Sequence, residues 1–140
     1  MIHWRTLLAL LILTTGAAVQ GKDLLSATRS WDGGEFEYPQ GQPEVSSAIL
    51  RIDEGQKLPF HCHPVPTMGY VLNGTVEVET RDGRKARFSA GDAVVEVMST
   101  VHRGKAIDGP VEVVVFYAGA VGVPNTVVAD SPEGLQYCKQ

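Results

Sequence analysis

From residue 45 onward the sequence breaks into short runs of β-branched and aromatic residues separated by turn formers, and this punctuation constrains the fold more than any other feature. Residues 45–52, 70–72, 75–80, 86–88, 93–98 and 111–117 read as strands, because such side chains suit a pleated, half-buried surface. Asp82-Gly83, between two of these runs, predicts a two-residue hairpin of type I′, which needs positive φ at both central positions. Asn73-Gly74 marks a second turn or sharp bend. Nothing past residue 21 has the pattern of an amphipathic helix, so the expected class is all-β, a sandwich or barrel.

A chain of 140 residues supports one domain with one core. The run Leu7 to Leu13, preceded by Arg5 and followed by Gly16, Ala17, Ala18 and Gly21, predicts a signal peptide over residues 1–21 and hence an exported protein, periplasmic or secreted. That run falls short of the roughly 20 apolar residues that cross a bilayer, so no stable membrane span is expected after cleavage. Residues 22–44, with Pro39 and Pro43, read as an N-terminal arm. Residues 45–119 read as the barrel and residues 120–140, with Pro124 and Pro132, as a C-terminal tail that, like the arm, could wrap the barrel or a partner subunit.

The formal net charge of −4 and the scattered basic residues argue against nucleic acid as a partner. In an oxidising compartment Cys62 and Cys138 could form a disulfide. Two buried thiols that never meet fit the sequence equally well.

Past residue 21 the chain has three histidines, and two stand as His61-Cys62-His63 in an extended segment. Successive strand side chains point to opposite faces, so His61 and His63 share a face and Cys62 turns away. His102, from a distant strand, could complete a metal site. A single histidine on an apolar face is ordinarily a satisfied core residue, but the pair with a third partner points to a ligand set. Glu96, within Val94-Val95-Glu96-Val97-Met98, is either a solvated residue or, if inward, a ligand, a hydrogen-bond acceptor for a histidine or a general base. Among the aromatic residues, Phe60, Tyr70, Phe88, Phe116 and Tyr117 are candidates for a pocket wall, although such residues on strands are usually core.

Two segments carry a family resemblance. Gly55, His61, His63 and Tyr70-Val71-Leu72-Asn73-Gly74 are similar to the first motif of the cupins, and Gly91-Asp92 through His102 resembles the second. The resemblance implies a double-stranded β-helix, a jelly-roll barrel, with one divalent metal bound by His61, His63 and His102. It departs from the family at Thr67, where the first motif usually has a ligand glutamate, and at Val97, Ser99 and Ala106, where proline, glycine and asparagine are usual. Three neutral imidazoles with open positions suit Fe, Mn, Ni, Cu or Zn. A small metalloenzyme of dioxygenase-like or other metal-assisted chemistry, acting on a small polar molecule, is the expected function. The alternative is a non-catalytic module that binds a metal or metabolite. By the same resemblance the chain is expected to form a homodimer.

Overall fold

The computed structural model describes residues 19–139, so the apolar run of the expected signal peptide lies outside the described residues. Seven strands form: β1 (Pro43–Ile52), β2 (His61–Cys62), β3 (Thr67–Thr80), β4 (Lys85–Ser89), β5 (Ala93–Val95), β6 (His102–Ala120) and β7 (Val127–Val128), followed by a short helix α1 (Pro132–Tyr137).

The two long strands, β3 and β6, run antiparallel from Thr67 opposite Tyr117 to Thr80 opposite His102. At one end they are flanked by β5 on β3 and β1 on β6. At the other end β4 flanks β3, and β2 followed by β7 flanks β6. Each long strand thus serves two sheets, and the two sheets face one another as a jelly roll, the expected fold.

The passage between sheets is a bulge. Pairing slips between Val71, Asn73 and Thr75, and the buried residues of β3 change from Thr67, Gly69 and Val71 to Val76, Val78 and Thr80. Between the pairs Val71–Val113 and Thr75–Ile107, β3 passes three residues and β6 five, and the switch of alternation keeps both halves turned toward the same interior. Opposite the slip, Asp108 and Gly109 take φ of 55° and 121°. Gly74 has φ of 78°, and a Cβ there would stand 2.3 Å from the Pro110 carbonyl oxygen. Asn73-Gly74 is therefore a bend inside one strand, not a reversal between two.

Other expectations need correction. Three residues, 81–83, lie inside the pair that closes the β3–β4 loop, with Thr80 N–H bonded to Arg84 O at 2.9 Å and Gly83 N–H to Thr80 O at 3.0 Å. Gly83 has φ of 93° while Asp82 is not left-handed, so the turn is a type I turn closed by a left-handed glycine. The Asp82 carboxylate accepts from Arg84 Nε at 3.0 Å, which fixes the loop without a type I′ backbone. The strand expected over residues 93–98 stops at Val95, and the one expected over residues 111–117 extends to His102–Ala120.

The tail is ordered and belongs to the barrel. β7 pairs with β2, and α1 opens with Ser131 as cap, its Oγ accepting from Gly134 N–H at 3.0 Å, and Pro132 in the first turn. Cys62 and Cys138 form a disulfide, Cα atoms 5.7 Å apart, which settles the pairing the sequence left open. As expected, Cys62 turns away from the histidines, into a cluster with Val101, Val127 and Ala129. A larger cluster of Ile52, Val71, Val76, Val78, Ala106 and Val111 lies between the sheets, with Trp31 of the arm packed against it.

Candidate metal centre

His61 and His102 are direct Cα partners across the β2–β6 ladder, and His63 lies two residues along the same face. This parity brings the rings together: centroids are 4.5 Å apart for His61 and His102, and 5.0 Å for His63 with each of the others. One ligand atom from each residue lies within 4.8 Å of the others, close enough to hold one ion.

Backbone carbonyls fix the tautomers. Nδ1 of His61 bonds Pro59 O at 2.8 Å, Nδ1 of His63 bonds Asn125 O at 2.9 Å, and Nδ1 of His102 bonds Thr100 O at 2.9 Å. A carbonyl can only accept, so each Nδ1 carries the proton and each Nε2 presents a lone pair. His63 and His102 are 5% and 2% exposed. Burial lowers the pKa of all three, and His61, with His102 adding repulsion, falls from 6.5 to about 4. The rings are neutral at pH 7, the form that binds metal.

Glu96 points inward. Its backbone N–H bonds Thr67 O at 2.8 Å, so it stands beside the position where the first motif usually has glutamate. Its Oε2 lies 3.7 Å from His102 Nε2 and accepts from Trp31 Nε1 at 3.2 Å. Burial pushes this carboxyl above its usual range, while the indole N–H opposes the shift. Thr67 is buried, and its hydroxyl donates to Val65 O at 3.0 Å, a packing role.

These groups line one part of a cavity of about 400 Å³ between the sheets. Most of the remaining wall is aliphatic, with Val71, Val76, Val78, Val113 and Val115 on it. Of the aromatic candidates, Phe88 and Tyr117 reach the wall. Phe60 packs on the disulfide cluster under Arg103, and Phe116 lies on the outside, 43% exposed. Sequence reasoning missed Trp31, Asn125 and Thr126, whose Oγ1 lies 3.1 Å from His63 Nδ1. They reach the site from the arm and the tail, where no local pattern announces them.

The architecture is that of two antiparallel sheets closed around an interior histidine cluster. Residues 48–117 match the model of the cupin domain, and the chain belongs to that family. Among solved structures it resembles a DMSP lyase of Ruegeria pomeroyi at 23% identity and TM-score 0.54, covering 69% of this chain and 46% of the lyase. An oxalate decarboxylase of Lactobacillus farciminis gives 23% identity and TM-score 0.53, over 66% of this chain and 30% of the enzyme. A double-stranded β-helix protein of Klebsiella pneumoniae gives 19% identity and TM-score 0.53, over 69% and 87% of the two chains. The chain thus spans less than half the length of both enzymes, and at these identities the likeness is one of fold. No curated protein matches the chain.

Proposed function

We propose that the protein is a small metalloenzyme in which His61, His63 and His102 hold one divalent transition metal, Fe, Mn, Ni, Cu or Zn, and Glu96 serves the chemistry beside it. The observation that carries the proposal is the common tautomer: three carbonyls orient three rings so that their Nε2 lone pairs are free in one cluster. A bound ion of this kind supplies Lewis acidity, or redox chemistry if it is iron, copper or manganese. The chain's own residues do the rest. Burial keeps the imidazoles unprotonated, and Trp31 Nε1–H holds Glu96 Oε2 toward His102. There Glu96 can complete the ligand set from the strand next to Thr67, or take and return a proton of a bound small molecule.

Export to the periplasm or medium belongs to the same proposal, supported by the pattern of residues 1–21 and by a disulfide of the kind that persists in oxidising compartments. So does a homodimer. β1 lies at the edge of its sheet, and Val45, Ile49, Met68, Leu72 and Phe116 stand exposed on β1, β3 and β6.

Replacing Glu96 by Gln tests its role with two readouts, metal per chain and turnover. Lost metal identifies a ligand; retained metal with lost turnover identifies an acid or base. Unchanged metal and turnover would remove Glu96 from the function. Metal binding with no turnover by the intact chain, across small-molecule substrates, would favour a non-catalytic binding module.

A further inference from the structure

The cavity wall is chemically lopsided. The polar groups gather around the histidines: Glu96, Thr67, Tyr117 and Thr126 with the three rings. The remaining lining residues are aliphatic, phenyl or glycine, and among the described residues no lysine or arginine reaches the wall, with Glu96 its one carboxylate. A second negative group on a bound molecule would therefore meet no cation beyond the histidine end, and burying it unpaired would be costly.

The wall residues that reach solvent are Leu50, Pro59, Thr126 and Val128, three of them apolar, with Leu50 and Val128 37% and 50% exposed. Water-facing aliphatic side chains around a cavity mouth cost little when the usual visitor is itself apolar. The volume sets the size: about 400 Å³ corresponds to roughly thirteen water volumes, or a molecule of about a dozen non-hydrogen atoms.

We infer that the site takes a predominantly apolar molecule of that size carrying one polar head group, with the head at the histidines and the body along Val71, Val76, Val78 and Val113. A dicarboxylate long enough to carry its second carboxylate past the histidine end is disfavoured by the same wall. The position of the head rests on the metal reading above; the apolar body rests on the wall alone, whether or not a metal is bound.

The probes are chosen to keep those two readings apart. Butyrate, hexanoate and octanoate, with succinate for contrast, are titrated calorimetrically into zinc-loaded protein, and butan-1-ol, hexan-1-ol and octan-1-ol into metal-free protein. Each added methylene should tighten binding about fourfold in both series. Succinate, with the same carbon count as butyrate, should bind at least about tenfold more weakly than butyrate, as one unpaired buried charge requires. Leu50→Lys and, separately, Val128→Lys, both at exposed positions that leave the fold intact, should flatten the chain-length series. Leu135→Lys, exposed on α1 and off the wall, should leave it unchanged.

Flat series in both protein forms, or succinate binding more tightly than octanoate, would overturn the inference. A chain-length dependence equally sensitive to Leu135→Lys would overturn it too, by placing the binding on the outer surface. If the protein takes up no zinc but the alkanol series keeps its slope, the metal reading falls and the apolar site stands. If zinc binds and both series are flat, the reverse holds.

Discussion

Replacing both Cys62 and Cys138 by alanine in the metal-free protein should lower its stability and loosen its metal site together. The disulfide joins residues 76 apart in sequence. On the chain-entropy estimate, closing a loop of that length removes unfolded-state freedom equivalent to about 4.5 kcal/mol at 25 °C, and measured bridges more often deliver about 2–4 kcal/mol. For a domain of this size each kcal/mol shifts Tm by about 3–5 °C, so a fall of roughly 6–20 °C is expected. The bridge also anchors the segment behind β7, which β2 holds through only two residue pairs. Asn125, whose carbonyl orients His63, lies two residues before β7. Once the anchor is gone that carbonyl is less fixed, and metal affinity should fall about tenfold, the usual cost of losing an outer hydrogen bond to a ligand. Thermal melts by circular dichroism and metal titrations read the two effects. A Tm within about 3 °C of the parent would refute the entropic argument. Unchanged metal affinity would refute the coupling of the tail to His63.

Other consequences are as direct. Trp31→Phe keeps the ring but removes the N–H bonded to Glu96, so the pH profile of any turnover should shift upward while metal content holds; an unmoved profile would deny Trp31 its positioning role. The folded His61 titrates at about 4 against 6.5 when unperturbed, so as pH falls the unfolded chain takes the proton first, and metal-free stability should drop progressively from about pH 6.5 to pH 4. Chemical denaturation across that window checks it, and a stability independent of pH there would contradict burial as the cause. Gly74→Ala combines a left-handed backbone with a contact to Pro110 O, and should cost more than about 1 kcal/mol. An unchanged denaturation midpoint would show that the bend tolerates a side chain.

The histidine cluster was legible because strand parity is a local rule: His61 and His63 share a face wherever the strand goes, and the second motif placed His102 opposite. The direction of Glu96 was not. β5 ends at Val95, and a few residues on Ser99 takes φ of 59°, so period-two alternation no longer fixes a side chain there. The bend at Gly74 was visible as a break, yet its effect, one strand passing from one sheet to the other, depends on pairing with β6 some thirty residues away. Trp31 meets Glu96 across 65 residues and Asn125 meets His63 across 62, contacts that only the closed barrel creates. The tail read as irregular because its prolines hid a two-residue strand and a capped helix too short for periodicity to reveal.

The central claim is that the three histidines hold one ion. Elemental analysis of the chain, purified without chelator or affinity-tag histidines and compared with the variant carrying His61→Ala and His63→Ala, tests it most directly. The account predicts about one transition metal per chain in the parent and none in the variant with the barrel still folded, as a mononuclear three-histidine site requires. No stoichiometric metal in the parent, even after reconstitution, or equal metal in both proteins, would contradict it.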